Sequence, residues 1–300
     1  MAKTRELRRR IKSVKNTAQI TKAMQMVSAT KMRRAQNQAL NGRPYTLTLN
    51  EVLQKVSGKV SIETHPLLVT KPFNKAAVLV LTSDKGMCGS LNSNILRVLL
   101  ADEKINSKDT AIYTMGRKAR EFVVRTGRNL VADFENPEKV EFVIATRIRK
   151  MLVEAFLNNE YKEVYLLYPE FKSTLRQEAK LVKLLPIEPV ILGTQSEAWR
   201  TPESKKDAGQ ASMTNTEFLY EPNPTTVLDF ALIHHVDVQI YQAMLETKAS
   251  EHSARMIAMQ NATDNALELV DDLNLTYNQM RQSAITTELL EITSAAAALQ

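Results

Sequence analysis

The sequence predicts an α/β fold carrying a long antiparallel coiled coil, with the N- and C-terminal helices forming a shaft. Three observations carry that prediction. Residues 225–300 contain neither Gly nor Pro. As one helix they would extend about 114 Å, whereas a compact globule of this chain length is roughly 50 Å across. A helix of that length must project, and its apolar stripe then needs a partner helix. The partner is available at the other end, because residues 1–41 also lack Gly and Pro. Between the two ends, short apolar runs alternate with helical patterns, the signature of a small parallel sheet.

The N-terminal segment, 1–58, reads as the first shaft helix. Thr4, Glu6 and Leu7 make a start signal. Leu7, Ile11, Val14 and Ala18 lie on one stripe, continued by Ile20, Met24 and Val27 after a phase shift near residue 19. Gly42 and Pro44 are expected to kink the helix, and Gly58 to end it. Residues 1–34 hold eleven Lys/Arg against one acid, Glu6.

Residues 70–192 read as an α/β domain, a small Rossmann-like parallel sheet with helices. Ala76–Ser83 is a continuous apolar run suited to a buried strand. Leu91–Ala101 is helical, Thr110–Met115 is a second strand, and a helix follows through Arg125. Pro137–Asn158 reads as helix, Glu163–Tyr168 as strand and Lys180–Leu185 as an edge strand. Residues 193–216 form a polar loop insertion. The second shaft helix occupies 217–300. Its heptad seam is Leu245, Ala249, His252, Met256, Met259, Thr263, Ala266, Val270, Leu273, Tyr277, Met280 and Ala284, the alternating 4 and 3 spacing of a left-handed coiled coil. Many of these residues are small or soft, so the helices approach closely. Residues 257–300 carry six acids and one base, and the basic and acidic ends are expected to attract each other when antiparallel.

Chemistry is sparse. The single cysteine, Cys88, excludes an internal disulfide framework and fits a reducing compartment. His65, His234, His235 and His252 show no metal-ligand spacing. The loop Ser83-Asp84-Lys85-Gly86-Met87-Cys88-Gly89 follows a strand and precedes a helix, the position where α/β folds bind phosphate. It has no P-loop or dinucleotide glycine spacing, so a tight turn is the expected role. No catalytic residue, cofactor or metal is predicted. No apolar run approaches the length that spans a bilayer, and the basic N-terminus lacks the apolar core of a secretory signal.

Four segments resemble the gamma subunit of F-type ATP synthases: LRRRIKSVKNTAQITKAMQMVSATKMRRAQ (Leu7–Gln36), SDKGMCGSLN (Ser83–Asn92), SEHSARMIAMQNATDNA (Ser250–Ala266) and LTYNQMRQSAITTELLEI (Leu275–Ile292). FLYEPNP (Phe218–Pro224) fits the segment before the last helix of that family. The resemblance implies a non-catalytic central rotor stalk. It couples ion-driven c-ring rotation to the conformational cycling of the catalytic beta subunits, in ATP synthesis and hydrogen-ion transport. The implied partners are the alpha and beta subunits, the epsilon subunit and the c-ring, with indirect membrane association and no nucleic acid. Carried over by position, Met24 faces an acidic beta loop, and Arg281, Gln282 and Thr286 hydrogen-bond beta in one rotary state. Glu288 lies on the same turns, Arg255 lies near the alpha/beta collar, and Tyr220 is the foot at the c-ring.

The chain departs from the family where His234–His235 replace an Arg-Tyr pair, where no Gly precedes the final alanines, and in the length of the 193–216 insertion. The cysteine pair of the chloroplast branch is absent. With the family pattern beginning at the first residues, the basic N-terminus is expected to be shaft and not transit peptide. The expected location is the cytoplasmic face of a bacterial inner membrane. The competing reading is a coiled-coil nucleic-acid-binding or structural protein using the basic N-terminal helix on phosphates. Against it, the basic residues run round the helix, and no aromatic residue lies within 1–44 to stack on bases.

Overall fold

The computed structural model describes residues 2–57, 65–69, 75–107, 109–187, 221 and 223–298. Helix α1 spans Ala2–Ser57, and the C-terminal helix α5 spans Pro224–Ala298. Between them lie β1 (Ala76–Leu81), α2 (Leu91–Ala101), β2 (Ala111–Met115), α3 (Arg117–Arg125), β3 (Leu130–Phe134), α4 (Phe142–Leu157), β4 (Glu163–Phe171) and β5 (Gln177–Leu185). The expected insertion at 193–216 lies outside the described residues.

The sheet order is β3-β2-β1-β4-β5, parallel except that β5 returns antiparallel beside β4. Strand alternation sorts the core into two layers. Ala77, Leu79 and Leu81 of β1, with Val164 and Leu166 of β4, join Leu152 and Phe156 of α4 and the base of the shaft at Leu53, Leu232 and Ile240. Val78, Val80 and Leu167 face the opposite way, against Ile95 and Leu99 of α2 and Val123 of α3. With helices on both faces, the central strands are apolar on both sides, which is why β1 reads as a continuous run.

Two elements differ from the sequence expectation. Strand β3 falls in a stretch with no assigned element. It is a five-residue edge strand whose Val131 is 45% exposed, so only one of its faces is covered. Helix α4 begins at Phe142 and not at Pro137. The Asn136 side chain donates to the buried carbonyl of Thr82 (2.9 Å), and this holds residues 136–141 across the C-terminal edge of the sheet instead of in a helical turn.

Helix α1 runs through Gly42 and Pro44 without a break. A proline leaves the carbonyl four residues earlier without its donor. Here that carbonyl belongs to Leu40, a residue on the exposed face of the helix (50% exposed). The hydroxyls of Thr46 and Thr48 donate to the carbonyls of Gly42 (3.2 Å) and Pro44 (3.1 Å) on the following turn.

The coiled coil has a definite register. The hydroxyls of Thr21 and Thr263 are 2.6 Å apart, and a side chain at Gly42 would meet Gln242 at 3.8 Å. Stepping from 21 to 42 along α1 therefore matches stepping from 263 back to 242 along α5. The α1 seam is Leu7, Ile11, Val14, Ala18, Thr21, Ser28, Met32 and Ala35, each shielded relative to its neighbours. The expected phase shift near residue 19 does not occur. Ile20 and Val27 are 60% and 55% exposed and form a second stripe on the outer surface. The Thr21–Thr263 pair and buried Ser28 hold the seam in phase, because small residues let the helices close and satisfy each other's hydroxyls.

The α5 seam is shielded through Tyr277, but Met280 and Ala284 are exposed. Extending the register puts Ala2, the first described residue of α1, opposite Gln282, and beyond it α5 has no described partner helix. The basic and acidic ends do not neutralise each other: among the described residues, no ion pair joins the cations of Arg5–Lys22 to the acids of Asp264–Glu291.

Candidate functional site

Four regions hold the residues singled out by sequence. The first is the bare tip of α5. Arg281, Gln282, Thr286 and Glu288 are all exposed. They are brought together by helix spacing alone, with Gln282 and Thr286 one turn apart. The Thr286 hydroxyl donates to the Gln282 carbonyl (3.0 Å), which orients its oxygen lone pairs outward as acceptors. Among the described residues the Gln282 amide has no hydrogen-bond partner, so it can donate and accept. Such groups make several bonds of about 1 kcal/mol each with a passing partner and break them again.

The second is the neck. Met24 lines a cavity of about 430 Å³ with Ile20, Val27 and Met87. Met87 is 58% exposed and sits at the left-handed φ of 61°, on the loop after β1. Sequence reasoning singled out Met24 but not the exposure of Ile20 and Val27, since the two stripes of α1 are both apolar at helical spacing.

The third is the anchorage between shaft and sheet, which holds Arg255. The residue is 7% exposed and works inside the chain. It pairs with Glu251 (2.8 Å) and donates to the carbonyls of Lys85 (3.4 Å) and Gly86 (3.3 Å). The loop 83–89 thus turns carbonyls toward a cation and does not cradle an anion with N–H groups. Ser250 donates to the Pro169 carbonyl (3.0 Å) and Ser253 to that of Thr174 (2.7 Å). Arg149 of α4 pairs with buried Asp237 at 3.0 Å. Four points along α5 are therefore bolted to three parts of the α/β domain, so a twist applied to the domain reaches the helix. Serines and an Arg–Glu pair at i, i+4 are ordinary in a helix, so the sequence held no signal for this role.

The fourth is the base. His234 stacks on Phe230 and meets Tyr45 and Phe142 edge-on or tilted, with Phe142 in turn against Tyr241. Phe230 is 72% exposed. His235, by contrast, is buried, and burial pushes its pKa down to about 4, so it is neutral. Tyr220 lies outside the described residues. No group of three metal-ligating side chains occurs among the described residues, and no described helix is long and apolar enough to cross a membrane.

A two-helix lever with a bare tip, rigidly bolted to a small α/β foot, defines a transmission element: a protein that carries a twist from one end to the other. The family comparison makes this particular. The family model described as ATP synthase matches residues 3–299, and the chain belongs to that family. It is 43% identical to the ATP synthase gamma chain of Herpetosiphon aurantiacus, covering 100% of this chain and 99% of the relative. It is 41% identical to that of Pelotomaculum thermopropionicum, covering both completely. Among solved structures, it resembles a chain of the central stalk and c-ring of Tetrahymena thermophila mitochondrial ATP synthase (TM-score 0.59, 27% identity, 81% of this chain and 99% of that chain). A rotor chain of Euglena gracilis mitochondrial ATP synthase shares the fold (TM-score 0.64, 21% identity, 95% and 99% covered). The nucleic-acid reading is not favoured by these relationships.

Proposed function

We propose that the chain is the central rotor stalk of an F-type ATP synthase, non-catalytic itself. It couples ion-driven rotation of a c-ring to conformational cycling of the beta subunits. The observation that carries this is the continuity of α5. One unbroken helix is bolted to the foot through Asp237, Ser250, Ser253 and Arg255, then emerges as a coiled coil, then as a bare tip. Torque entering at the foot has no hinge at which to dissipate before Gln282 and Thr286.

Asymmetry supplies the signal. The neck has a basic α1 on one side and an acidic α5 on the other. Each step of rotation would present a different face to otherwise equivalent beta subunits and bias each toward a different state. Arg8, Arg9 and Arg10 are exposed and join no ion pair among the described residues, so they would be available to acidic surfaces of the head, and Met24 would meet an acidic beta loop. The foot, through the Phe230–His234 aromatics and Tyr220, would meet the c-ring and epsilon subunit. With no membrane-crossing helix of its own among the described residues, the chain would be held peripherally, at the cytoplasmic face of a bacterial inner membrane.

The test is affinity purification of the tagged chain from detergent-solubilised membranes. Alpha, beta, epsilon and c subunits are expected to co-purify with ATPase activity that the chain alone lacks. Recovery of the chain with nucleic acid, or ATP hydrolysis by the purified chain, overturns the reading.

A further inference from the structure

Beside the anchorage, next to the cavity at Ile20 and Val27 and sharing Lys31, Glu138, Lys248 and His252 with it, is a cleft of about 480 Å³. It lies at the C-terminal edge of the sheet, where the segment after β3 meets both shaft helices. Parallel sheets characteristically receive ligands at that edge. Lys31 and Arg34 come from α1, Lys139 from the segment after β3, and Lys248 and His252 from α5.

The charge in the cleft does not balance. Its one carboxylate, Glu138, pairs with Lys31. Arg34 and Lys139 join no ion pair among the described residues. Lys248 is only 8% exposed. Its nearest carboxylate, Glu251, is 3.8 Å away and makes its closer bond, 2.8 Å, to Arg255. A cation so withdrawn from water without a full partner is costly to hold. Burial lowers the Lys248 pKa, the expected strain of such a group.

His252 is neutral, its pKa pushed down to about 4 by burial and by nearby Arg255, Lys248 and Lys31. Its Nδ1 accepts from Arg255 (3.4 Å), so Nε2 carries the proton and is a donor. The cleft therefore offers one planar guanidinium fork, two ammonium groups and neutral donors, with its single carboxylate already engaged.

We propose that this cleft binds a phosphate group, with Arg34 and Lys139 clamping it at the rim and Lys248 neutralising it from within. A phosphate suits the donor set better than a carboxylate. Its oxygens point in several directions and can meet donors from three chain segments at once, and arginine takes two of them together. The phosphate could be free orthophosphate or the diphosphate tail of a nucleotide, and the two sources are separable.

The experiment titrates the full-length chain with orthophosphate, pyrophosphate and ADP by calorimetry, with ³¹P line broadening as a second readout. Saturable binding is expected by about 10 mM. The Arg34→Gln/Lys139→Gln double variant, altered only at surface positions, is expected to weaken it at least tenfold with an unchanged circular dichroism spectrum. Replacing Arg8, Arg9 and Arg10 with Gln is expected to leave it intact. ADP binding no tighter than pyrophosphate identifies the phosphates as the recognised group. No saturation, or a loss of binding that follows Arg8–Arg10 instead of the cleft, overturns the proposal. A tenfold preference for ADP overturns the assignment to phosphate alone.

Discussion

Glu246 sits on α5 where the shaft lies against β4, and its carboxyl is poorly provided for. Gln242 on the same helix donates to Oε1 (3.2 Å), while Oε2 is buried with no hydrogen-bond partner among the described residues. Burial is the main cause that pushes its pKa from 4.5 up to about 7. Glu170 on β4 adds repulsion, and Gln242, Lys180 on β5 and the Phe171 backbone only partly offset it. The folded protein therefore keeps a proton that the unfolded chain gives up between pH 4.5 and 7. Stability from this group is present at low pH and declines as pH rises through that window. Above pH 7 the full cost applies, about 3 kcal/mol at 1.36 kcal/mol per pKa unit.

The Glu246→Gln variant removes the ionisable group at nearly constant shape. Chemical and thermal denaturation of the full-length chain at pH 5 and pH 8 reads the difference. The expected gain at pH 8 is up to about 3 kcal/mol, or roughly 5 °C in Tm for a chain of this size. At pH 5 the expected gain is below about 1 kcal/mol. An equal gain at both pH values, or none at either, would show that water or a neighbour satisfies the carboxylate, and the burial argument fails.

Two further outcomes are expected. Replacing Gln282 and Thr286 together with Ala should lower coupled ATP synthesis in membrane vesicles several-fold while leaving head assembly intact, because both side chains stand clear of the coiled coil; normal synthesis under load would reduce them to ordinary surface residues. Gly116→Ala should destabilise the foot by about 3 kcal/mol or more, since its φ is 108° and an added Cβ would lie 2.2 Å from the Thr82 carbonyl oxygen; a denaturation midpoint within error of the parent would refute it.

Much of the fold was legible because it rests on local periodicity. The Gly/Pro-free ends and the seam from Leu245 to Tyr277 required helices that pair. The alternation of AAVLVL (Ala76–Leu81) and EVYLLY (Glu163–Tyr168) with helical patterns required a covered sheet. β3 escaped because an edge strand needs only one apolar face, and Leu130, Ala132 and Phe134 are too few to stand out. The α1 stripe was misread past Ala18 because Ile20, Met24 and Val27 are more apolar than Thr21 and Ser28. Hydrophobicity alone favours the wrong face where the seam is built from small hydroxyl residues.

What the sequence by itself determined is the kind of object this is: two long helices, their antiparallel pairing, an α/β foot between them, and the family that its segments share. Each follows from spacing along the chain, which backbone geometry converts directly into a face or a layer. What only the tertiary structure decided is where α1 stops along α5, and hence that Arg281, Gln282, Thr286 and Glu288 stand on a bare tip. It also decided that Arg255 is a buried clamp on the loop after β1, and that Arg34, Lys139 and Lys248 converge on one cleft. These depend on register between segments more than 100 residues apart. A heptad seam of alanines, threonines and methionines permits several registers equally well. The hydroxyl pair Thr21–Thr263 and the bolts at Asp237, Ser250, Ser253 and Arg255 select one of them, and they do so only once the chain has folded.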